Sequence, residues 1–202
     1  MRATNDVLAI NEERKQTLGI IPKITALAEK LGHAHPWFVH LYAYPYREIV
    51  AREIEIARVT SQDKVLNVGC GTIPFTALHI ANLTRAEVWA VDYDGRAVQG
   101  ARRCLKRLGL DDQVSVFHCD ASLGVPKGFD VAIVALQAAP KAKIMEVLRE
   151  AAAPGARVVF RQPAKRFQSH YDAIPSTWRI SDSVEQSMKT FDQSILIETD
   201  VV

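Results

Sequence analysis

Residues 65–76 read Val65-Leu66-Asn67-Val68-Gly69-Cys70-Gly71-Thr72-Ile73-Pro74-Phe75-Thr76, an apolar strand that runs into a Gly-x-Gly turn and then a helix start. Gly69 and Gly71 can take backbone angles closed to other residues and let a ligand approach the main chain. A helix beginning near Pro74 directs free N–H groups toward the same place. Proline costs little in a first turn, where its missing N–H would be unpaired anyway. The dinucleotide fingerprint calls for a third glycine three positions after Gly71, and this chain has Pro74 there, so a nicotinamide or flavin site is not indicated. The loop suits an adenosyl ligand without a pyrophosphate, while a bare Gly-x-Gly is also an ordinary turn.

The downstream strands bear on that choice. Residues 87–92, EVWAVD, end in Asp92, 21 positions after Gly71, where a carboxylate can accept hydrogen bonds from both ribose hydroxyls. Asp94 stands just before a helical run over 95–109 and reads as its N-cap. A third strand over 114–118 runs into His118-Cys119-Asp120, where Asp120 either bonds an adenine amino group or is a solvated loop carboxylate. Three successive strands each present a glycine or a polar group at the edge where open α/β sheets bind ligands. The combination reads as S-adenosylmethionine binding. The expected contacts are Gly69, Cys70, Gly71, Thr72, Pro74, Asp92, Tyr93, Asp120 and Ala121, with Ala135 and Leu136 from the end of the fourth strand.

With 202 residues and 48% apolar content, the chain is long enough to bury one full core with an appendage. Its 25 basic and 23 acidic residues leave a net charge of +2, too balanced to demand nucleic acid or an anionic membrane. Cys70, Cys104 and Cys119 lack metal-ligand spacing and cannot all pair, which fits a reducing cytoplasm. No cleavable leader and no 18-residue apolar run is read, so a soluble intracellular protein is expected. His33, His35 and His40 lack acidic or Cys partners nearby, so no metal is expected. Arg102, Arg103, Lys106 and Arg107 share one helix and read as a solvated face.

Residues 1–60 are helix-rich by pattern, with Ile20, Ile21, Ile24, Leu27 and Leu31 at helical spacing and a second helix from Tyr46 to Val59. From Val65 onward strands are expected near 65–69, 87–92, 114–118, 130–136 and 156–161, alternating with helices. Strands near 178–185 and 192–199 have no helix between them and should pair antiparallel. The expected fold is α/β: a Rossmann-like class I methyltransferase fold with a seven-stranded, mostly parallel sheet and an antiparallel last strand, preceded by a small helical N-terminal region. Residues 1–60 would form a helical cap contributing to the acceptor site and residues 61–202 the S-adenosylmethionine-binding domain.

These residues resemble a narrower family, the nicotianamine synthases and related opine-metallophore synthases. Gly69, Gly71, Pro74 and Thr76 match that family's Gly-x-Gly-Pro-x-Pro-x-Thr loop, with Thr72 in place of the first proline. LYAYPYREIVAREIEI looks like its aromatic segment and following helix, and places Glu55 on the family's functional glutamate. FDVAIVALQAAPKAKIMEVLREAAAPGARVVFRQP and TFDQSILIE resemble its fourth and fifth strands with their helix, and its last strand. The resemblance implies transfer of the 3-amino-3-carboxypropyl group of S-adenosylmethionine to an amine of a small amino-acid-like acceptor, with a place in metallophore biosynthesis.

A sulfonium activates three carbons, so the protein selects one mainly by holding it in line with the nucleophile. The acceptor amine must arrive neutral, and Glu55 is the candidate carboxylate to position it and take its proton. Without the resemblance, Glu55 reads as an exposed glutamate of a charged helix. Tyr42, Tyr44 and Tyr46 either line the acceptor pocket or pack the helical region onto the sheet. Arg161 either grips an acceptor carboxylate or forms a surface pair. Methyl transfer to a small molecule needs the same cofactor loop and is the alternative reading. Nucleic-acid methylation is disfavoured because Ala135-Leu136-Gln137-Ala138 stands where base amino-methylases place Asn/Asp-Pro-Pro-aromatic. A non-catalytic adenosyl-binding module also fits, and the sequence is compatible with a homodimer without fixing the oligomeric state.

Overall fold

Alternation of apolar strands with helices over residues 64–163 builds the central sheet of the protein, seen here in a computed structural model that describes residues 36–199, for 36–45 the backbone alone. The periodic positions 20–31, with His33 and His35, lie outside the described residues. The elements in order are α1 (Pro36–Ile56), β1 (Lys64–Val68), α2 (Phe75–Thr84), β2 (Glu87–Asp92), α3 (Gly95–Leu108), β3 (Val114–His118), β4 (Val131–Val134), α4 (Lys141–Ala151), β5 (Arg157–Pro163), a 3-10 turn (Lys165–His170), β6 (Asp182–Glu185) and β7 (Phe191–Glu198). The site lies within one compact unit, His40–Val202.

The seven strands run in the order β3-β2-β1-β4-β5-β7-β6. β1 pairs in parallel with β2 and β4, β2 with β3, and β4 with β5, whereas β7 is antiparallel to both β5 and β6. The expected reversed pair at the sheet's end is therefore present, with the last strand inserted between β5 and β6. β4 is a continuous apolar run, all four residues buried, because helices cover both of its faces, and β1 is buried from Val65 to Val68 with one polar residue, Asn67. One face packs Val50 of α1 and Ala57 just after it, Ala77, Ile80 and Ala81 of α2 and Val98, Ala101 and Leu105 of α3 against Val65, Ala90, Ile133 and Val159. The other packs Ile144, Met145 and Leu148 of α4 against Leu66, Val91, Ala132, Val134 and Phe160.

Helix ends follow local chemistry. Asp94 caps α3 as expected, its carboxylate accepting from Arg96 N, and Gly109 at φ +64° closes the other end. α1 closes in the same way without glycine: Arg58 takes φ +51°, Val59 N–H donates to Ile54 O and Arg58 N–H to Glu55 O. Arg157 on β5 then donates to the carbonyls of Ala57 and Arg58 and pairs with Asp63, fixing the end of α1 to the sheet. The start of α1 differs from the expected Tyr46: the helix continues from Pro36 through Pro45. A proline usually marks a helix boundary, but here the missing N–H interrupts one bond of a long helix rather than ending it.

Gly100 on α3 is where the helix meets the cofactor-type loop. A Cβ there would stand 2.3 Å from Thr72 Cγ2 and 3.3 Å from Thr72 Cα. Overpacking of this kind costs about 1–3 kcal/mol, against a helix-propensity gain of about 1 kcal/mol for alanine. Gly100→Ala should therefore lower the urea midpoint, and adding Thr72→Ala should recover part of the loss. An unchanged midpoint in the single variant would show that α3 and the loop are not in close contact.

Candidate functional site

The turn after β1 is held open by one carboxylate. Gly69 (φ +77°) and Cys70 both donate their N–H to Val91 O, at 2.9 and 3.1 Å. Gly71 (φ +69°) donates to Asp92 Oδ2 at 2.8 Å, and Asp94 N–H donates to Asp92 Oδ1 at 3.0 Å. Asp92 is 8% exposed and so ties β2 to the β1 loop while keeping an edge toward the adjoining cavity. Each carboxylate oxygen has two lone pairs, which leaves both able to accept a second donor.

That cavity, about 230 Å³, lies at the carboxyl edge of β1, β2, β3 and β4. Among the expected cofactor contacts, Gly69, Asp92, Tyr93, Asp120 and Ala121 line it. Asp120 Oδ1 accepts from the hydroxyl and the N–H of Ser122, which hold its carboxyl below the usual range, and Oδ2 carries no such bond among the described residues. The other expected contacts do not line the cavity. Gly71 serves through Asp92, Thr72 packs on Gly100, and Pro74 is buried as the residue before α2, one position outside the helix. Ala135 and Leu136 are buried, and Ala135 Cβ would lie 3.1 Å from any Cβ at Gly69, so these two set the spacing of the β1 and β4 loops. Gln137, Ala138 and Ala139 line the cavity instead. The signal for them was Gln137, the first polar residue after the buried run that continues from β4 through Leu136.

Cys70 is 7% exposed, and burial, then the charge of Asp92, push its thiol up to about 12. Burial and the charges of Asp120 and Asp92 also raise Cys119, which lines the cavity. Neither is an activated nucleophile, because the reactive form is the thiolate.

A second polar centre lies at the carboxyl half of β5. Arg161 is 4% exposed and donates Nε and Nη2 to the two oxygens of Glu53, both at 2.8 Å, and Nη2 also to Thr76 Oγ1 at 3.1 Å. Burial opposes the guanidinium charge, but the Glu53 carboxylate outweighs it and raises the Arg161 pKa further. Ser194 on β7 donates to Glu53 Oε1, and Gln186 donates to Ser194 Oγ and Ile49 O. Aromatic rings surround the pair: the guanidinium lies 5.8 Å from the Tyr46 ring and 5.3 Å from that of Phe191, and Tyr46 stacks on Phe75. Tyr171 packs beside Ile49, Leu136 and Phe191, and burial, then Tyr46, raise its pKa.

This centre departs from the sequence reading in two ways. Arg161 forms a buried pair, not a surface one. Glu55 is exposed, and at 100° per residue it points about 200° around α1 from Glu53, which is fully buried. Glu53 falls in phase with the buried residues Ile49, Val50 and Ala57. An acidic residue inside an apolar stripe was the signal that could have identified it. Tyr46 stands at the centre, while the side chains of Tyr42, Tyr44 and His40 lie outside the described residues. Among those described, no group of three or more His, Cys, Asp or Glu could hold a metal, and no helix is long and apolar enough to cross a membrane.

Comparison with known proteins agrees with this geometry. Residues 65–154 match the family described as "Methyltransferase domain". A stretch of 73 residues, 36% of the chain, is 37% identical to L-histidine 2-aminobutanoyltransferase of Yersinia pestis and spans 28% of that protein. Over 106 residues, 52% of the chain, it is 29% identical to a probable cobalt-precorrin-6B C(15)-methyltransferase (decarboxylating) of Methanothermobacter thermautotrophicus, spanning 54% of it. The chain thus matches about half or less of these curated relatives. A glutamate-to-glutamine mutant of the nicotianamine synthase MtNAS, solved with S-adenosylmethionine, superposes with a TM-score of 0.76 at 22% identity, covering 90% of this chain and 73% of that one. The fold is that of the class I S-adenosylmethionine-dependent methyltransferase superfamily.

The Cys70 thiol makes the alkaline limb of stability testable. In the unfolded chain it ionises near 9.0, in the folded protein at about 12. Between these values the unfolded state has lost a proton that the folded state keeps, so stability falls as pH rises above about 9. The urea midpoint of Cys70→Ala should decline less than the parent's between pH about 8 and about 10.5. Parallel declines would show that the thiol is not held protonated.

Proposed function

We propose that the protein transfers the 3-amino-3-carboxypropyl group of S-adenosylmethionine to the amine of a small, amino-acid-like acceptor. The observation that carries this reading is the buried Glu53–Arg161 pair within a ring of aromatic side chains, joined through Leu136 to the loop that lines the cavity. An amino-acid-like acceptor brings an amine and a carboxylate, and the pair offers one group of each opposite sign. The name of the Yersinia pestis relative also describes transfer of an amino-acid-derived group, and MtNAS has been solved with MTA and tNA.

Asp92 and Asp120 would hold the adenosyl moiety, the first at the ribose and the second at the adenine amino group. Gly69 lets the ligand approach the main chain, and the remaining loop contacts support these three. The acceptor nitrogen attacks the carbon of the aminocarboxypropyl group bonded to sulfur. The C–S bond breaks with its electron pair passing to sulfur, methylthioadenosine leaves, and the nitrogen passes a proton to the carboxylate that orients it. We assign the carboxylate that orients this amine to Glu53, in place of Glu55. Glu53 Oε1 already accepts from Arg161 Nε and Ser194 Oγ, whereas among the described residues Oε2 accepts only from Arg161 Nη2 and keeps a lone pair for the amine. Because Glu53 is fully buried in this structure, acceptor entry requires α1 to shift. Residues 1–60, with Tyr42, Tyr44 and Tyr46, would supply the acceptor-side cap. The three free thiols suit a reducing compartment such as the cytoplasm.

Methyl transfer to a small molecule is the second reading, supported by the similarity to the cobalt-precorrin methyltransferase. The by-product separates the two. After incubation with S-adenosylmethionine and mixed free amino acids we expect methylthioadenosine. S-adenosylhomocysteine as the enzyme-dependent product would establish methyl transfer instead. At saturating acceptor, Glu53→Gln should lower turnover about 10²-fold or more with little change in cofactor affinity, and Glu55→Gln should stay within a few-fold of the parent. The reverse order would return the role to Glu55. Thermal unfolding of both variants separates lost chemistry from lost fold, since breaking a buried pair alone destabilises by about 3–5 kcal/mol.

A further inference from the structure

Lys141, the first residue of α4, is fully buried, and nothing in the chemistry above uses it. Its ammonium donates to three main-chain carbonyls: Leu136 at 3.1 Å, Ala138 at 3.4 Å and Asp172 at 2.9 Å. Its three protons therefore have three acceptors. Its own N–H donates to Asp172 Oδ2. Leu136 and Ala138 belong to the loop between β4 and α4, whose residues Gln137, Ala138 and Ala139 wall the cavity. Asp172 belongs to a different stretch of chain, and its neighbour Tyr171 packs in the aromatic cluster beside Leu136 and Phe191. One ammonium thus holds a wall of the cofactor cavity and a wall of the Glu53–Arg161 centre. Removing its charge would leave three carbonyls without their donor, and neither wall has another side chain bonded to these atoms among the described residues.

We propose that Lys141 is a positioning residue that couples the two walls, so that filling the cavity orders the segment around Tyr171 and Asp172. This rests on the reading that the cavity takes S-adenosylmethionine. Amide hydrogen exchange with and without S-adenosylmethionine, paired with calorimetric titration, tests it on the full chain. In the parent, the ligand should slow exchange both at 136–139 and at 171–173. Lys141→Met should bind about tenfold more weakly or worse and, at saturating ligand, keep protection near Gly69 and Gly71 while losing it at 171–173. Asp172→Ala alters an exposed side chain and leaves the core untouched. It removes the carboxylate that accepts the Lys141 N–H and keeps the carbonyl that accepts from the ammonium, so it should weaken binding a few-fold and reduce the protection gained at 171–173, which carries the test if Lys141→Met does not fold. Variants that bind like the parent and still protect 171–173 overturn the coupling, as does a parent that binds without any change there. A parent that fails to bind S-adenosylmethionine overturns the functional reading, and the coupling falls with it.

Discussion

The bidentate contact between Glu53 and Arg161 joins parts of the chain more than a hundred residues apart, and the placement of α1 depends on it. Glu53 comes from α1, Arg161 from β5, Thr76 from α2 and Ser194 from β7, so one desolvated ion pair registers three layers of structure against each other. A buried pair of this kind contributes little net stability compared with a hydrophobic replacement, because both charges are taken out of water. Its effect here is on uniqueness. A one-residue slip of α1 would turn the carboxylate by about 100° and leave Arg161 buried without a counter-charge, which the fold cannot tolerate. Arg157, bonded to the last carbonyls of α1 and to Asp63, fixes the same helix at its other end.

The strand order places the cofactor cavity and this pair on neighbouring ground. Between β1 and β4 the connections leave the sheet in opposite directions, and the loops that follow diverge to form the crevice in which such sheets bind ligands. Gly69 and Ala135 face each other across that crevice at close range, and the next strand, β5, brings Arg161. Asp92 ends β2 and Asp120 follows β3, and the ion pair lies on the far side, under α1. In the proposed reaction, a ligand spanning the crevice would run from one set to the other.

Much of this was legible in the sequence wherever a local rule carried it. Strand–helix alternation, the Asp94 cap and the helixless pair of final strands follow from periodicity and turn chemistry, which act over a few residues. The partners of Lys141 are carbonyl oxygens, which every residue carries, so no side-chain pattern announces them, and a lysine is expected at the surface. The resemblance placed weight on Glu55, while the helix phase shared with Ile49, Val50 and Ala57 marks Glu53 as the buried carboxylate of α1. The start of α1 was misplaced because Pro45 reads as a boundary, and only long-range packing decides whether a helix continues through one.

The position of β7 has a consequence for how the chain is made. It is the last strand in the sequence, yet it lies between β5 and β6 and supplies both of their pairings on that side. During synthesis from the amino terminus, β5 emerges with an open hydrogen-bonding edge and β6 emerges with no strand to join. The hydroxyl of Ser194 reaches Glu53 only when β7 arrives. Completion of the sheet is therefore deferred until β7 has left the ribosome, and a nascent chain stalled before Phe191 carries an unpaired edge that invites association with its neighbours.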